Sequence, residues 1–202
     1  LLRRQGSGWR LRVYSKVRVA RYDIRHSLIL SCPFLLVRVA HEPFQRGIQI
    51  LLDLGFHVSC IVCWMKEAAV ISYADYSFRS EHALYGWLEG APHYWAGSPG
   101  ESNVWEVHRD PTKTYVHPTQ KPVQLAQRAL KNSSKANDLV LDTFFGSGSV
   151  LLAAESTGRR CYGLEIDPKY VDCIIRRYLN YAGADKVSEE VRKKYFEEVA
   201  NG

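Results

Sequence analysis

Sulfur and long apolar runs are scarce in this sequence. Its 202 residues include one methionine and five cysteines. An odd cysteine count in a chain of this size argues against a disulfide-stapled secreted scaffold and favours a reduced, cytoplasmic setting. The apolar stretch 28–37 is interrupted by Pro33 and is too short to cross a bilayer. We therefore expect neither a membrane segment nor a secretory signal.

A metal centre is not expected either. Cys60 and Cys63 form a CxxC pair, but both fall in an apolar strand pattern at 57–64. Residues three apart on a strand point to opposite faces of the sheet. The pair is therefore predicted to be structural, with a metal or redox role as the minor alternative.

Two common phosphate-binding motifs are missing. A dinucleotide fingerprint needs a third glycine after Gly146 and Gly148, but Leu151 stands there. No lysine follows the glycines as it does in a P-loop. The spacing alone leaves open a Rossmann-like nucleotide site of another kind.

The stretch 138–167 reads as strand, glycine turn, helix and second strand. Apolar residues 139–141 predict a buried parallel strand, and the two glycines allow a sharp turn that a ligand can approach closely. The second strand delivers Glu165 to the carboxyl edge of the sheet, where its carboxylate can accept two hydrogen bonds from a ribose diol. Asp142 can face a cationic or amine-bearing end of a ligand. Asp167, which precedes Pro168, is predicted to cap the next helix.

Two motifs together resemble the amino (N4-cytosine/N6-adenine) DNA methyltransferases. The first is Asp-Thr-Phe-Phe-Gly-Ser-Gly-Ser at 142–149, and the second is His-Pro-Thr-Gln-Lys-Pro-Val at 117–123, similar to the family's His-Pro-Thr-x-Lys-Pro element. Their order is that of the permuted subgroup, in which the catalytic motif precedes the cofactor motif. The resemblance covers 34–182, and Glu81 also matches the family, although Ser80 and His82 flank it.

The resemblance implies S-adenosylmethionine as the cofactor and DNA as the partner, with an activity typical of restriction–modification systems. Thr119 and Lys121 offer a hydroxyl and an ammonium, both suited to the cofactor's carboxylate. The residues expected at the cofactor are Asp142, Phe144, Gly146, Ser147, Gly148, Glu165, Thr119 and Lys121.

The implied fold is α/β and Rossmann-like, with a mostly parallel sheet, an antiparallel edge strand and an incomplete N-terminal side. We expect a strand at 34–40, a helix at 43–54 and a strand at 57–64 to form a βαβ unit. Residues 83–87 fit the antiparallel edge strand. Further helices are expected at 123–133, 168–181 and 186–199.

The net charge of +6 and the isoelectric point near 9.1 favour a polyanionic partner. We divide the chain into a basic segment, 1–30, and a methyltransferase domain, 31–202. The basic part at 1–26 is either a phosphate-binding arm or a poorly ordered or foreign segment. Within the domain, 65–115 fits a target-recognition region that begins with a mobile loop, 65–79. Its aromatic and cationic residues suit unstacked bases and phosphates, or else they cover a sheet edge.

A catalytic motif is not visible. The family's tetrapeptide, Asp/Asn/Ser-Pro-Pro-aromatic, does not occur, and the nearest string, Ser-Cys-Pro-Phe at 31–34, is interpreted as coincidence. Thr143 replaces a proline, and Phe145 replaces a small residue and is expected to crowd the cofactor. The catalytic residues, the target sequence, the choice of adenine or cytosine and the oligomeric state stay unassigned. The alternatives to a DNA methyltransferase are an inactive remnant that binds cofactor or DNA, and a methyltransferase acting on RNA.

Overall fold

Seven strands form the main sheet of the computed structural model, which describes residues 2–5, 8–11, 28–31, 34–39, 44–70 and 75–197. A separate hairpin precedes that sheet. The strands are β1 (Leu2–Gln5), β2 (Gly8–Leu11), β3 (Leu28–Ser31), β4 (Phe34–Val39), β5 (Phe56–Val70), β6 (Phe78–Leu88), β7 (Val104–Glu106), β8 (Leu139–Asp142) and β9 (Arg160–Gly163). The helices are α1 (Phe44–Asp53), α2 (Val123–Ser133), α3 (Ser149–Ser156), α4 (Pro168–Ala182) and α5 (Glu189–Arg192).

The order of strands across the main sheet is β7-β5-β6-β4-β3-β8-β9. Only β3 and β6 run against the direction of the other five described strands. Because these two lie between co-directional strands, four of the six described ladders are antiparallel. The Rossmann-like α/β class is confirmed, but the sheet is more mixed than the sequence predicted.

The strand predicted at the edge is an interior strand. Tyr85 of β6 pairs with Leu36 of β4 on one side and with Cys60 of β5 on the other. The βαβ unit β4-α1-β5 therefore has parallel strands, but β6 is inserted between them. Alternating apolar residues show that a strand has a buried face and do not show how many neighbours it pairs with. This is why the position of 83–87 was predicted wrongly.

Most predicted elements lie where the sequence placed them, and the errors are at their ends. Helix α2 has the predicted bounds, and α4 ends one residue later than expected. Strand β5 extends into the predicted mobile loop as far as Val70, and β6 begins at Phe78, near the end of that predicted loop. The predicted C-terminal helix is broken: α5 is four residues long and is followed by the π-helical turn Lys193–Glu197.

Helices α2, α3 and α4 pack with the sheet in one apolar core. Val140 of β8, Leu130 of α2 and Tyr178 of α4 are fully buried there. By contrast, α1 buries Leu51 but leaves Leu52 exposed. In the part of the chain that the structure describes, no helix is long and apolar enough to cross a membrane. Apart from β1 and β2, the basic segment 1–26 lies outside the described residues.

Candidate functional site

The glycine turn joins β8 to α3 at the carboxyl edge of the sheet. Gly146 and Gly148 both have positive φ angles, 51° and 72°, which side-chain-bearing residues rarely adopt. A methyl group on Gly148 would also lie 2.9 Å from Ile174 Cγ2, so glycine is needed there for space as well. Arg177 of α4 fixes the turn by donating a hydrogen bond of 2.9 Å to the Ser147 carbonyl.

Glu165 closes the turn from the end of β9. Its carboxylate accepts hydrogen bonds from the Gly146 amide at 2.7 Å and from the Asp167 amide at 3.1 Å. The Asp167 side chain accepts from Lys169 N at 2.9 Å, which confirms its predicted capping role. Each Glu165 oxygen thus has one backbone donor and keeps a second lone pair for another donor.

Asp142 is the last residue of β8, directly before the glycine turn, and its side chain is buried, with 2% exposure. One of its oxygens accepts a hydrogen bond of 3.0 Å from the Phe144 amide. Burial, together with the smaller effect of the negative charge of Glu165, raises the pKa of Asp142 to about 7, and the hydrogen bond from Phe144 opposes that rise. A buried carboxylate with so high a pKa has too little positive charge around it, so a cation at this position would stabilise its ionised form.

The His-Pro-Thr-Gln-Lys element lies against the glycine turn. A methyl group on Gly146 would be 3.8 Å from the His117 ring, which also contacts the Tyr170 ring with centroids 4.2 Å apart. The Lys121 carbonyl accepts a hydrogen bond of 2.6 Å from Ser149 Oγ at the start of α3. The two motifs, separate in sequence, therefore form one surface. Thr119 is exposed, and its hydroxyl lies 3.1 Å from His117 Nδ1.

The Lys121 ammonium points to a carboxylate of the protein. It lies 3.0 Å from one oxygen of Glu81, on β6, and 3.1 Å from the other. Lys66 of β5 lies 2.8 Å from the same carboxylate and is 7% exposed. Both ammonium groups lie over the Trp64 ring, 5.4 Å and 5.3 Å from its centroid. The motif-based prediction missed Lys66 because it is a single lysine on a mainly apolar strand, outside both motifs.

A second polar network includes Arg177, the residue that also holds the glycine turn. Gln120 is 4% exposed and donates a hydrogen bond of 2.7 Å to Asp110, which lies 3.8 Å from the Arg177 guanidinium. Sequence reasoning missed these three residues, because their side chains are brought together only by the fold.

Phe144 and Phe145 have different positions. Phe144 is 39% exposed beside the turn, whereas Phe145 packs against the core. Atoms of the Phe145 ring lie 2.3–2.4 Å from where a Cβ on Gly163 would be. The missing side chain at Gly163 thus makes room for this ring, and this packing against the core argues against the expectation that Phe145 crowds the cofactor.

Several aromatic residues of the predicted recognition region lie toward the other end of β5 and β6, whereas Tyr76 and Phe78 are exposed near the start of β6. The Trp87 and His93 rings are stacked with centroids 3.8 Å apart, and Tyr85 donates to or accepts from His93 Nε2 at 3.0 Å. With Trp95 and Trp105 they line a cavity of about 340 Å³ beside the C-terminal end of α2. Tyr85, Trp87 and His93 therefore cover the sheet here, and the two interpretations of the aromatic and cationic residues of 65–115 stay predictions.

Comparison with known proteins agrees with the geometry of the two motifs. The model of the N6/N4 family described as DNA methylase matches residues 27–176. The chain belongs to this DNA methylase family. The similarity that the two sequence motifs indicated is thereby confirmed.

Curated relatives of this DNA methylase are longer than the chain. The Type II methyltransferase M.BglII of Bacillus subtilis is 36% identical in an alignment of 166 positions, which covers 66% of this chain and 46% of that protein. The DNA adenine methyltransferase YhdJ of Escherichia coli K12 is 30% identical over 171 residues, 78% of this chain and 57% of that protein. The chain thus spans about half the length of these relatives.

A solved structure shows the same fold. The M1.HpyAVI–SAM complex superposes with a TM-score of 0.63 at 23% identity, over 70% of this chain and 72% of that one. This likeness confirms the methyltransferase fold.

Proposed function

We propose that this chain binds S-adenosylmethionine at the carboxyl edge of its sheet and serves methyl transfer to an exocyclic amine of adenine or cytosine in DNA. One observation carries the proposal: the His117–Lys121 element lies against the glycine turn, between Glu165 and Glu81. DNA in the cytoplasm is the partner that this proposal requires.

The residues present fit the cofactor. Asp142 is a buried carboxylate whose pKa is raised by burial. The ammonium and sulfonium of S-adenosylmethionine are cations, and a cation beside Asp142 would stabilise its ionised form. The Thr143 hydroxyl is buried without a hydrogen-bond partner among the described residues. A polar ligand would satisfy both groups.

Six of the eight residues expected at the cofactor have a specific chemical role in this proposal. Glu165 accepts hydrogen bonds from the ribose hydroxyls, Asp142 faces the positive charge, and Lys121 binds the carboxylate. Gly146 and Gly148 let the backbone come close, and Phe144 offers an apolar surface. When bound, S-adenosylmethionine supplies a methyl group made electrophilic by its sulfonium, so the protein's main contribution is to position the two reactants.

A second candidate function is cofactor binding without turnover. The tetrapeptide that accepts hydrogen bonds from the target amine in this family does not occur in the 202 residues. The nearest string spans the end of β3 and the start of β4. Ser31 pairs with Val140, two residues before Asp142, and Phe34 pairs with Trp87, so these two residues of the string lie toward the edge opposite the glycine turn. This position supports the interpretation of coincidence.

Calorimetry tests the cofactor assignment. We expect Glu165→Ala to weaken S-adenosylmethionine binding by about 30-fold, which corresponds to about 2 kcal/mol for hydrogen bonds to a charged group. Glu101→Ala is the matched control, because Glu101 pairs with Arg128 at 2.6 Å beside the aromatic cavity. No heat of binding with the folded, unaltered protein would refute the assignment.

A transfer assay separates the two candidate functions. Tritiated S-adenosylmethionine is incubated with unmethylated duplex DNA and, in a parallel arm, with RNA. The first function predicts label in DNA, whereas the second, which the missing tetrapeptide favours, predicts binding without incorporation. Label in DNA would establish turnover and the first function. Label in RNA alone would show that the substrate is RNA and not DNA.

A further inference from the structure

The carboxylate of Glu81 is shared by two lysines at the carboxyl edge. Lys66 lies 2.8 Å and Lys121 lies 3.0 Å from its oxygens. These three side chains are held by three different segments: Glu81 by β6, Lys66 by β5 and Lys121 by the loop before α2. The carboxylate therefore ties the antiparallel pair β5–β6 to the loop that lies against the glycine turn.

The carboxylate is needed to keep both ammonium groups in place. Two cations so close together repel each other strongly in a poorly solvated site, and Lys66 is 7% exposed. The negative charge between them offsets that repulsion. The Trp64 ring adds a cation–π contact to both, and it is itself fixed by a hydrogen bond of 2.7 Å from its indole N–H to the Val107 carbonyl.

The other end of Lys121 is also fixed. Its carbonyl accepts the 2.6 Å hydrogen bond from Ser149 Oγ, next to the glycine turn. A flexible four-carbon side chain is thus held at its backbone by α3 and at its ammonium by Glu81. This arrangement removes most of the rotamer freedom that a lysine would otherwise lose when it binds an anion.

We propose that Glu81 is a positioning residue that sets the Lys121 ammonium for the carboxylate of the methyl donor. The inference rests on the proposed function. The three side chains together carry one net positive charge, and the donor's carboxylate balances it. Glu81 acts through Lys121, whereas Glu165 is proposed to bind the ligand directly.

Two ligands distinguish positioning from a general structural role. S-adenosylmethionine carries the amino-acid carboxylate, and 5′-methylthioadenosine lacks it but keeps the adenosine. By calorimetry, we expect Glu81→Gln to weaken S-adenosylmethionine binding about tenfold and to leave 5′-methylthioadenosine binding unchanged. Adding Glu81→Gln to Lys121→Met should weaken binding no further, because both changes remove the same interaction. Glu89→Gln, an exposed position at the end of β6, is the control and should change neither affinity.

Other outcomes would overturn the inference. They are unchanged or tighter S-adenosylmethionine binding in Glu81→Gln, or an equal loss for both ligands. If Glu81→Gln does not fold, Glu81→Asp decides the matter, because it keeps the charge and draws the oxygens back by one methylene. A selective loss for S-adenosylmethionine supports the inference, and equal affinities for the variant and the unaltered protein refute it. Failure of the unaltered protein to bind S-adenosylmethionine would refute the proposed function and this inference together.

Discussion

The two ends of the β5–β6 pair differ in the kind of side chain that they bury. At the carboxyl edge, charged side chains are buried or half-buried beside specific partners, as Glu81 is with Lys66 and Lys121. Toward the other edge, the aromatic rings of Tyr85 and Trp87 pack on their neighbours. One end concentrates charge, and the other is mainly apolar.

This difference separates a ligand site from a packed surface. Burying charge is costly even when it is paired, so a fold gains little from doing so without another use for the charge. Burying aromatic rings lowers the free energy of the folded state directly. Charge that is buried around a glycine turn therefore indicates function more strongly than aromatic content does.

The largest expected effect tests the cost of the charge at Asp142. Its folded pKa of about 7 lies above the unfolded value of 3.8. The folded state therefore binds the proton more tightly, and this contribution to stability is complete below pH 4 and is lost as the pH rises through 7. We expect the stability of the unaltered protein, relative to Asp142→Asn, to fall by about 4 kcal/mol between pH 4 and pH 8.

Urea unfolding of both proteins across this pH range measures that difference. The asparagine has nearly the same shape and no charge, so it isolates the titration. S-adenosylmethionine at pH 8 should raise the stability of the unaltered protein and reduce part of the loss, because a cation favours the ionised carboxylate. If the free energy of unfolding varies with pH in the same way in both proteins, the buried charge of Asp142 does not destabilise the folded state.

Sequence reasoning predicted the local structure at the carboxyl edge well because the motifs there are local. The turn at Gly146 and Gly148, the acid at Glu165 and the cap at Asp167 each depend on neighbours within a few residues. Their backbone conformations follow from the absence of a side chain or from the spacing of acceptors. The roles proposed for the eight cofactor residues stay predictions that binding measurements must test.

Most of the missed features at the site and in the sheet order are long-range. The interior position of β6 depends on pairing with β4 and β5, and the Glu81–Lys121 pair joins residues forty positions apart. Gln120, Asp110 and Arg177 meet only after α4 has packed. No local periodicity encodes such contacts. The aromatic residues of 65–115 were ambiguous for the same reason, since their composition suits either bases or a sheet face.

Two glycines sharpen the comparison between the edges with smaller effects. Near the aromatic end, a methyl group on Gly86 would lie 2.1 Å from the His57 carbonyl oxygen, whereas on Gly163 it would meet the Phe145 ring at 2.3 Å. Backbone cannot move aside as a side chain can, so we expect Gly86→Ala to cost about 3 kcal/mol and Gly163→Ala about 1 kcal/mol. Gly100→Ala, with nothing within 4 Å, is the control and should be near neutral. Chemical denaturation measures these costs in the free energy of unfolding.

Calorimetry with S-adenosylmethionine then compares cofactor binding by the two variants. Only Gly163→Ala should also weaken binding, because a displaced Phe145 disturbs the glycine turn; an equal loss in folded Gly86→Ala would show that the two ends are coupled rather than separate.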